Sequence, residues 1–122
     1  MNIKVLQIGT DFVKEIELPV SDDKFGTTLI DTIESITNSG FYNFYVKPSF
    51  EYDLAIFYND DLSEDDLTEK SFNNNAKKLF DQDEYGDIFI CKYDDLSSYK
   101  ERDINFSSVP EDFIERVKRI LE

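Results

Sequence analysis

The 122-residue sequence contains no histidine and a single cysteine, Cys91. Without histidine there is no ordinary general base near neutral pH, so neither a Ser-His-Asp triad nor a Cys-His dyad can be assembled. The same lack excludes a zinc site of ordinary composition, and the four glycines form no glycine-rich phosphate loop. Pairs of carboxylates remain available for acid–base chemistry, but no pair is distinguished by its context. We therefore expect a protein that is not an enzyme and that holds no metal and no cofactor.

Basic residues are also scarce: 13 Lys and Arg stand against 27 Asp and Glu, for a formal net charge of −14. Direct binding to nucleic acid or to an anionic membrane surface needs clustered Lys and Arg, so neither is expected as a partner. No segment approaches the roughly 18 apolar residues of a membrane span, and no secretory signal is visible. The lone Cys91 permits no internal disulfide, which is typical of a reducing compartment. We expect a cytoplasmic protein.

Forty per cent of the residues are hydrophobic, and 11 Phe and 7 Tyr predict an aromatic-rich core. Apolar residues in loose alternation predict a β-hairpin over residues 3–18. Further strands are predicted over residues 41–47, where Pro48 ends the pattern, and over residues 53–59. A continuous apolar run predicts a buried strand within residues 85–93.

Helical spacing of apolar residues predicts a first helix within residues 21–40. Its apolar stripe begins at Phe25, and either Ser21 or Asp22 is expected to cap its start. Gly40 is expected to close it in the left-handed conformation.

A second helix is predicted from Glu64 to Phe80 and a third from Val109 to Leu121. Ser108 and Glu111 have the spacing of a capping box at the start of the third. Together these elements predict one α+β domain over residues 1–122, with a mixed, mainly antiparallel sheet of about five strands and three helices.

The stretch "FYNDDLSEDDLTEK", residues 57–70, holds six carboxylates and one lysine. Ser63 and Asp66 have capping-box spacing, and acids in a first helical turn complement the helix dipole. Capping therefore accounts for Glu64, Asp65 and Asp66 but leaves three acids unexplained: Asp60, Asp61 and Glu69. Residues 51–103 as a whole carry 16 acids against six basic residues.

This bias favours a surface that binds a basic protein, although a merely solvated acidic surface is the alternative. The predicted acidic patch comprises Asp60, Asp61, Glu64, Asp65, Asp66, Glu69, Asp81, Asp83, Glu84, Asp94 and Asp95. Tyrosines interspersed among these acids are predicted to supply aromatic contact area: Tyr58, Tyr85, Tyr93 and Tyr99.

Two further patterns have structural interpretations that we prefer. Three asparagines interrupt the second helix, and since an Asn amide competes for backbone bonds, Asn73 is a possible polar site that binds a neighbouring loop or a ligand. Residues 81–92 match part of a calcium-binding loop. However, Tyr85 occupies the fifth position and Lys92 the twelfth, so a turn leading into a strand is predicted instead.

Three segments, "LAIFYNDD", "FNNNAKKL" and "YGDIFICKYDD", are followed by an acidic C-terminal helix. In this arrangement the chain resembles a small phage, plasmid and conjugative-element domain of unknown function that can accompany ArdA-type antirestriction proteins. Asn73 is the nearest match to an Asn in that pattern, and no catalytic residues carry over. The resemblance implies a mobile-element accessory protein that interferes with host defence.

Three hypotheses about function follow. In the leading one, the carboxylates imitate the charge of duplex DNA and the protein inhibits a nucleic-acid-binding defence nuclease. In the second, it is an immunity protein that neutralises a basic toxin. In the third, it is a small-ligand-binding domain with Asn73 in its pocket.

Overall fold

An antiparallel sheet forms the centre of the computed structural model, which describes residues 1–23 and 26–122. The strands are β1 (Asn2–Ile8), β2 (Val13–Pro19), β3 (Tyr42–Ser49), β4 (Tyr52–Asn59), β5 (Ile88–Tyr93) and β6 (Phe106–Ser107). The helices are α1 (Thr28–Thr37), α2 (Asn74–Phe80) and α3 (Glu111–Leu121). The predicted α+β class, with five main strands and three helices, is confirmed.

The strand order is β2-β1-β5-β4-β3, with the short β6 beside the end of β5. Every strand pair in the described ranges is antiparallel. The sheet was predicted to be mainly antiparallel with some parallel pairing, and no parallel pair occurs in those ranges. The hairpins β1–β2 and β3–β4 lie on either side of β5. The central position of β5 explains why residues Ile88 to Cys91 are all apolar and fully buried, since helices cover both faces of that strand.

The helices divide between the two faces of the sheet. Leu29 and Ile33 of α1 pack on the face that carries Val5, Phe57 and Phe89. On the opposite face, α2 and α3 pack against alternate residues of the same strands, such as Ile56 and Ile90. No helix in the described ranges has the length and apolar character needed to cross a membrane.

The helix predicted over residues 64–80 is wrong in its first half. Glu64–Asp66 forms a single 3₁₀ turn, and the predicted capping box of Ser63 and Asp66 is present at its start. The α-helix begins only after Asn73, whose side chain caps its first turn. Asn is a better N-cap than interior helix residue because its side-chain oxygen accepts an otherwise unpaired backbone N–H.

Both ends of α1 also differ from the prediction. Neither Ser21 nor Asp22 caps its start, because the buried carboxylate of Asp103 accepts the first backbone N–H groups of the helix. At the other end, Asn38 adopts the left-handed conformation with φ 51°, two residues before Gly40. Asn tolerates this region better than most residues because its short side chain bonds locally.

Three remaining expectations concern single positions. Phe25 lies outside the described residues. The capping box at Ser108 and Glu111 is wrong, since both side chains bond to Lys4 instead. Strand β3 runs through Pro48, which a sheet edge permits because an edge strand needs no outward N–H donor.

Candidate partner-binding surface

Six exposed carboxylates lie in the acidic loop, which we define as residues 60–69 between β4 and α2. Local hydrogen bonds hold this loop in one conformation. Asn59 accepts the N–H of Asp61 at 2.9 Å, and Asp66 accepts both the N–H and the hydroxyl of Ser63 at 3.0 Å. The hydroxyl of Ser71 donates to the carbonyl of Asp66 at 2.6 Å. The six carboxylates are therefore presented on an ordered segment.

No cation in the described ranges lies within ion-pair distance of any carboxylate of the acidic loop. The later acids of the predicted patch differ in this respect. Lys77 pairs with Asp81 at 3.2 Å and with Asp83 at 3.1 Å. Lys92 and Lys100 pair with Asp94 at 3.8 Å and Asp95 at 3.0 Å respectively. Among the acids of the predicted patch, those with no cation at ion-pair distance in the described ranges are thus the six of the acidic loop and Glu84.

The predicted patch is divided between the two ends of β5. The acidic loop follows the end of β4, which lies beside the start of the antiparallel β5. Asp94 and Asp95 follow the far end of β5, about 20 Å away for a six-residue strand. The segment around Glu84 joins the acidic loop's end of the sheet, because the N–H of Asn73 donates to the carbonyl of Glu84 at 2.7 Å.

Glu84 is half-buried and has no ion-pair partner in the described part of the chain. Burial raises the pKa of its carboxyl group, and the nearby charge of Asp83 raises it further. This carboxylate is therefore held in an environment that disfavours its charged form.

A depression of about 520 Å³ with a mixed lining adjoins the acidic loop, and its polar side is formed by Thr68, Glu69 and Asn74. Its walls include Leu67, which is 47% exposed, and the paired rings of Phe72 and Tyr85, whose centroids are 5.3 Å apart. Aromatic and aliphatic groups inside a charged rim are typical of protein interfaces. Leu67 and Phe72 were not among the predicted site residues, although an isolated leucine in an acidic run was a visible signal.

The four predicted aromatic contacts separate in the same way as the acids. Tyr85 lies in the depression, and Tyr58 lies at the end of β4 that leads into the acidic loop, where burial and then Asp60 raise the pKa of its hydroxyl. Tyr93 is buried at the far end of β5, and Tyr99 is 55% exposed in the loop beyond it. Only Tyr58 and Tyr85 accompany the acidic loop.

Asn73 makes its hydrogen bonds within the chain. Its amide group donates to the carbonyls of Ile8 at 3.0 Å and Gly86 at 2.8 Å, and its oxygen accepts the N–H of Ala76 at 3.0 Å. It is fully buried, so it joins β1, α2 and the segment before β5. These contacts agree with the neighbouring-loop interpretation of this asparagine.

In residues 1–23 and 26–122, no group of three His, Cys, Asp or Glu side chains is placed to hold a metal ion. No protein-family model matches the chain, and no curated protein and no solved structure matches it either.

Proposed function

We propose that the protein binds a basic surface of another protein through the acidic loop and the depression beside it. The observation that carries this proposal is the density of the acidic loop: six exposed carboxylates lie within ten residues with no described cation at ion-pair distance, whereas Asp81, Asp83, Asp94 and Asp95 of the predicted patch are paired with lysines. Unpaired, ordered charges attract a cationic partner over a longer range than paired ones and set the association rate. Leu67, Phe72 and Tyr85 in the depression supply contact area that charge alone does not.

The narrower form of the proposal follows the resemblance to the mobile-element domain. In that form the partner is a nucleic-acid-binding nuclease of host defence, and the acidic loop occupies the groove that otherwise holds DNA. The alternative is that the partner is a basic toxin and that the protein confers immunity to it. In both forms the protein acts by binding and performs no catalysis.

The test compares two triple variants with equal change in net charge. Glu64→Gln, Asp65→Asn and Glu69→Gln neutralise unpaired acids of the acidic loop, whereas Asp81→Asn, Asp83→Asn and Asp95→Asn neutralise lysine-paired acids. Partners are captured on the immobilised wild-type protein, identified by mass spectrometry and measured by surface plasmon resonance at increasing salt. The proposal expects the loop variant to lose at least about tenfold in affinity, mainly in association rate, and the control variant to lose much less.

Equal losses in the two variants would show that only net charge matters, and the acidic loop would not be the binding site. Competition with duplex DNA for a captured nuclease distinguishes the DNA-mimic form from the immunity form. In the immunity form, the captured partner is toxic when expressed alone, and co-expression of this protein restores growth.

A further inference from the structure

A groove of about 810 Å³ lies along β3 on the face of the sheet that α1 covers. Since β2 and β3 are at opposite edges, the connection between them, which contains α1, must cross the whole sheet. The 10 residues of α1 span about 15 Å, whereas five strands at their usual spacing span about 19 Å. The face beside β3 therefore stays partly open.

Aromatic residues are prominent in the lining of this groove and include Phe44 and Tyr93. The ring of Phe44 lies 5.9 Å from that of Tyr93 and 5.2 Å from that of Phe106. Phe41, the residue before β3, also lines the groove and is 57% exposed. Tyr93 is only 6% exposed, and its buried hydroxyl has no hydrogen-bond partner in the described part of the chain.

The charged rim of the groove is predominantly acidic. It contains Asp53, Asp95 and Glu101, with Lys100 as the cation among its lining residues. Lys100 is already bonded to Asp95 at 3.0 Å. Asp53 and Glu101 make no ion pair with any Lys or Arg side chain that the structure describes. A ligand in the groove would thus meet uncompensated negative charge above an aromatic floor.

The free edge of β3 adds hydrogen-bond acceptors. In the register with β4, alternate residues from Tyr42 onward direct their backbone groups away from the sheet. The outward N–H of Tyr42 donates to the carboxylate of Glu34, and that of Phe44 donates to the side chain of Asn43, both at 2.8 Å. Pro48 has no N–H. This edge is poorly suited to strand addition, but its outward carbonyls suit a donor-rich ligand.

We propose that this groove binds a small organic cation with a planar apolar body, of the aryl amidinium or guanidinium class. Its volume lies in the range of about 300–1,000 Å³ that is usual for small-molecule sites. Aromatic faces attract cations directly, while Asp53, Glu101 and the edge carbonyls accept the N–H donors of such a group. The acidic end of the groove, at Asp53 and Asp95, lies at the opposite end of the sheet from the acidic loop, whereas its other end reaches Phe41, whose carbonyl accepts the N–H of Asp60 at 3.1 Å.

The test uses three isosteric probes: benzamidine, benzamide and benzoate. Each is titrated into the labelled protein, and backbone amide shifts are followed by NMR. Benzamidine is expected to shift residues of β3 and residues 93–101, with an affinity at least about threefold above that of benzamide. Benzoate is expected to bind more weakly still. Asp53→Asn should weaken benzamidine about two- to fivefold, whereas Asp65→Asn in the acidic loop should leave it unchanged.

Lys100→Gln is expected to change the affinity for benzamidine in the opposite direction from Asp53→Asn. Removing this ammonium frees Asp95 for the ligand, so benzamidine should bind more tightly than to the wild type. Both Asp53 and Lys100 are exposed, so the two variants should fold normally. Equal affinity for benzamide and benzamidine would overturn the proposal, as would amide shifts confined to the acidic loop or an unchanged affinity in both Asp53→Asn and Lys100→Gln.

Discussion

The buried carboxylate of Asp103 supports the start of α1 from 75 residues further along the chain. One of its oxygens accepts the N–H of Ser21 at 2.6 Å and that of Thr28 at 3.0 Å, and the other accepts the N–H of Leu29 at 3.2 Å. The residue at the N-cap position, Thr27, makes no side-chain capping bond. Asp103 therefore replaces the local cap, and it also opposes the positive end of the helix dipole.

Asp103→Asn preserves the shape of the side chain but removes its charge and one acceptor oxygen. The remaining oxygen can still accept from Ser21 and Thr28, while the new NH₂ group faces the N–H of Leu29. Losing a hydrogen bond to a charged group costs about 1.5–3 kcal/mol, and the lost dipole interaction adds about 0.3–2 kcal/mol. We expect the free energy of unfolding to fall by about 3 kcal/mol, which lowers Tm by about 12 °C in a domain of this size.

The assay is thermal and urea unfolding followed by circular dichroism at neutral pH. Asp31→Asn is the matched control, because Asp31 is an exposed acid in the first turn of the same helix. Its loss should cost only about 0.5 kcal/mol. If Asp103→Asn and Asp31→Asn unfold within about 2 °C of each other, the long-range cap contributes little and the reasoning is refuted.

Three more predictions concern buried polar groups. Asn73→Ala should lower the free energy of unfolding by about 3 kcal/mol, since it leaves two carbonyls and one N–H unpaired. Asn75→Ala loses only one bond, to the carbonyl of Gly9, and should lower it by about 1 kcal/mol. Urea unfolding measures both. Tyr42→Phe should lower the free energy of unfolding by about 1 kcal/mol because it loses a 2.9 Å bond to a backbone carbonyl. Tyr45→Phe should leave it unchanged or raise it, because the buried hydroxyl of Tyr45 has no hydrogen-bond partner among the residues that the structure describes. Glu84→Gln should stabilise the protein by less than about 1 kcal/mol at neutral pH, a gain that disappears in acid, when the wild-type carboxyl group is protonated.

The pH dependence of these variants follows from the direction of each pKa shift. Burial raises the pKa of both Tyr42 and Tyr45 to about 12 from 10.0. The folded protein then holds these protons more tightly than the unfolded chain, so stability should fall as pH rises from about 10 to about 12. The pKa of Glu84 is also raised in the folded protein, so the contribution of this group to stability is likewise lost as pH rises above its ordinary pKa of 4.5.

Several results would contradict these expectations. Equal destabilisation by Asn73→Ala and Asn75→Ala would show that the number of internal bonds does not set the cost. A Tyr45→Phe variant less stable than Tyr42→Phe would mean that the Tyr45 hydroxyl is satisfied. A stabilisation by Glu84→Gln that persists unchanged in acid would separate it from the ionisation of the carboxyl group.

Local patterns predicted the strands well and the helix ends poorly. The apolar run around Ile90 indicated a buried strand because burial on both faces leaves no polar position. The capping box at Ser63 and Asp66 was recognisable because its bonds join residues three apart. Which of the three asparagines caps the helix could not be read there, since the amide NH₂ group of Asn73 is fixed by the distant carbonyl of Ile8 while its oxygen accepts the N–H of Ala76.

The sequence by itself determined the excess of negative charge, its density in residues 60–69, and the alternation that builds the sheet. Only the tertiary structure decided the long-range ion pairs, such as that between Lys118 and Glu15, whereas the lysine pairs of the predicted patch join residues within six positions of one another. It also placed Asp103 at the start of α1 and left a groove beside β3. Composition and periodicity depend on near neighbours along the chain, whereas ion pairing and burial depend on strand order, which brings together residues far apart in sequence.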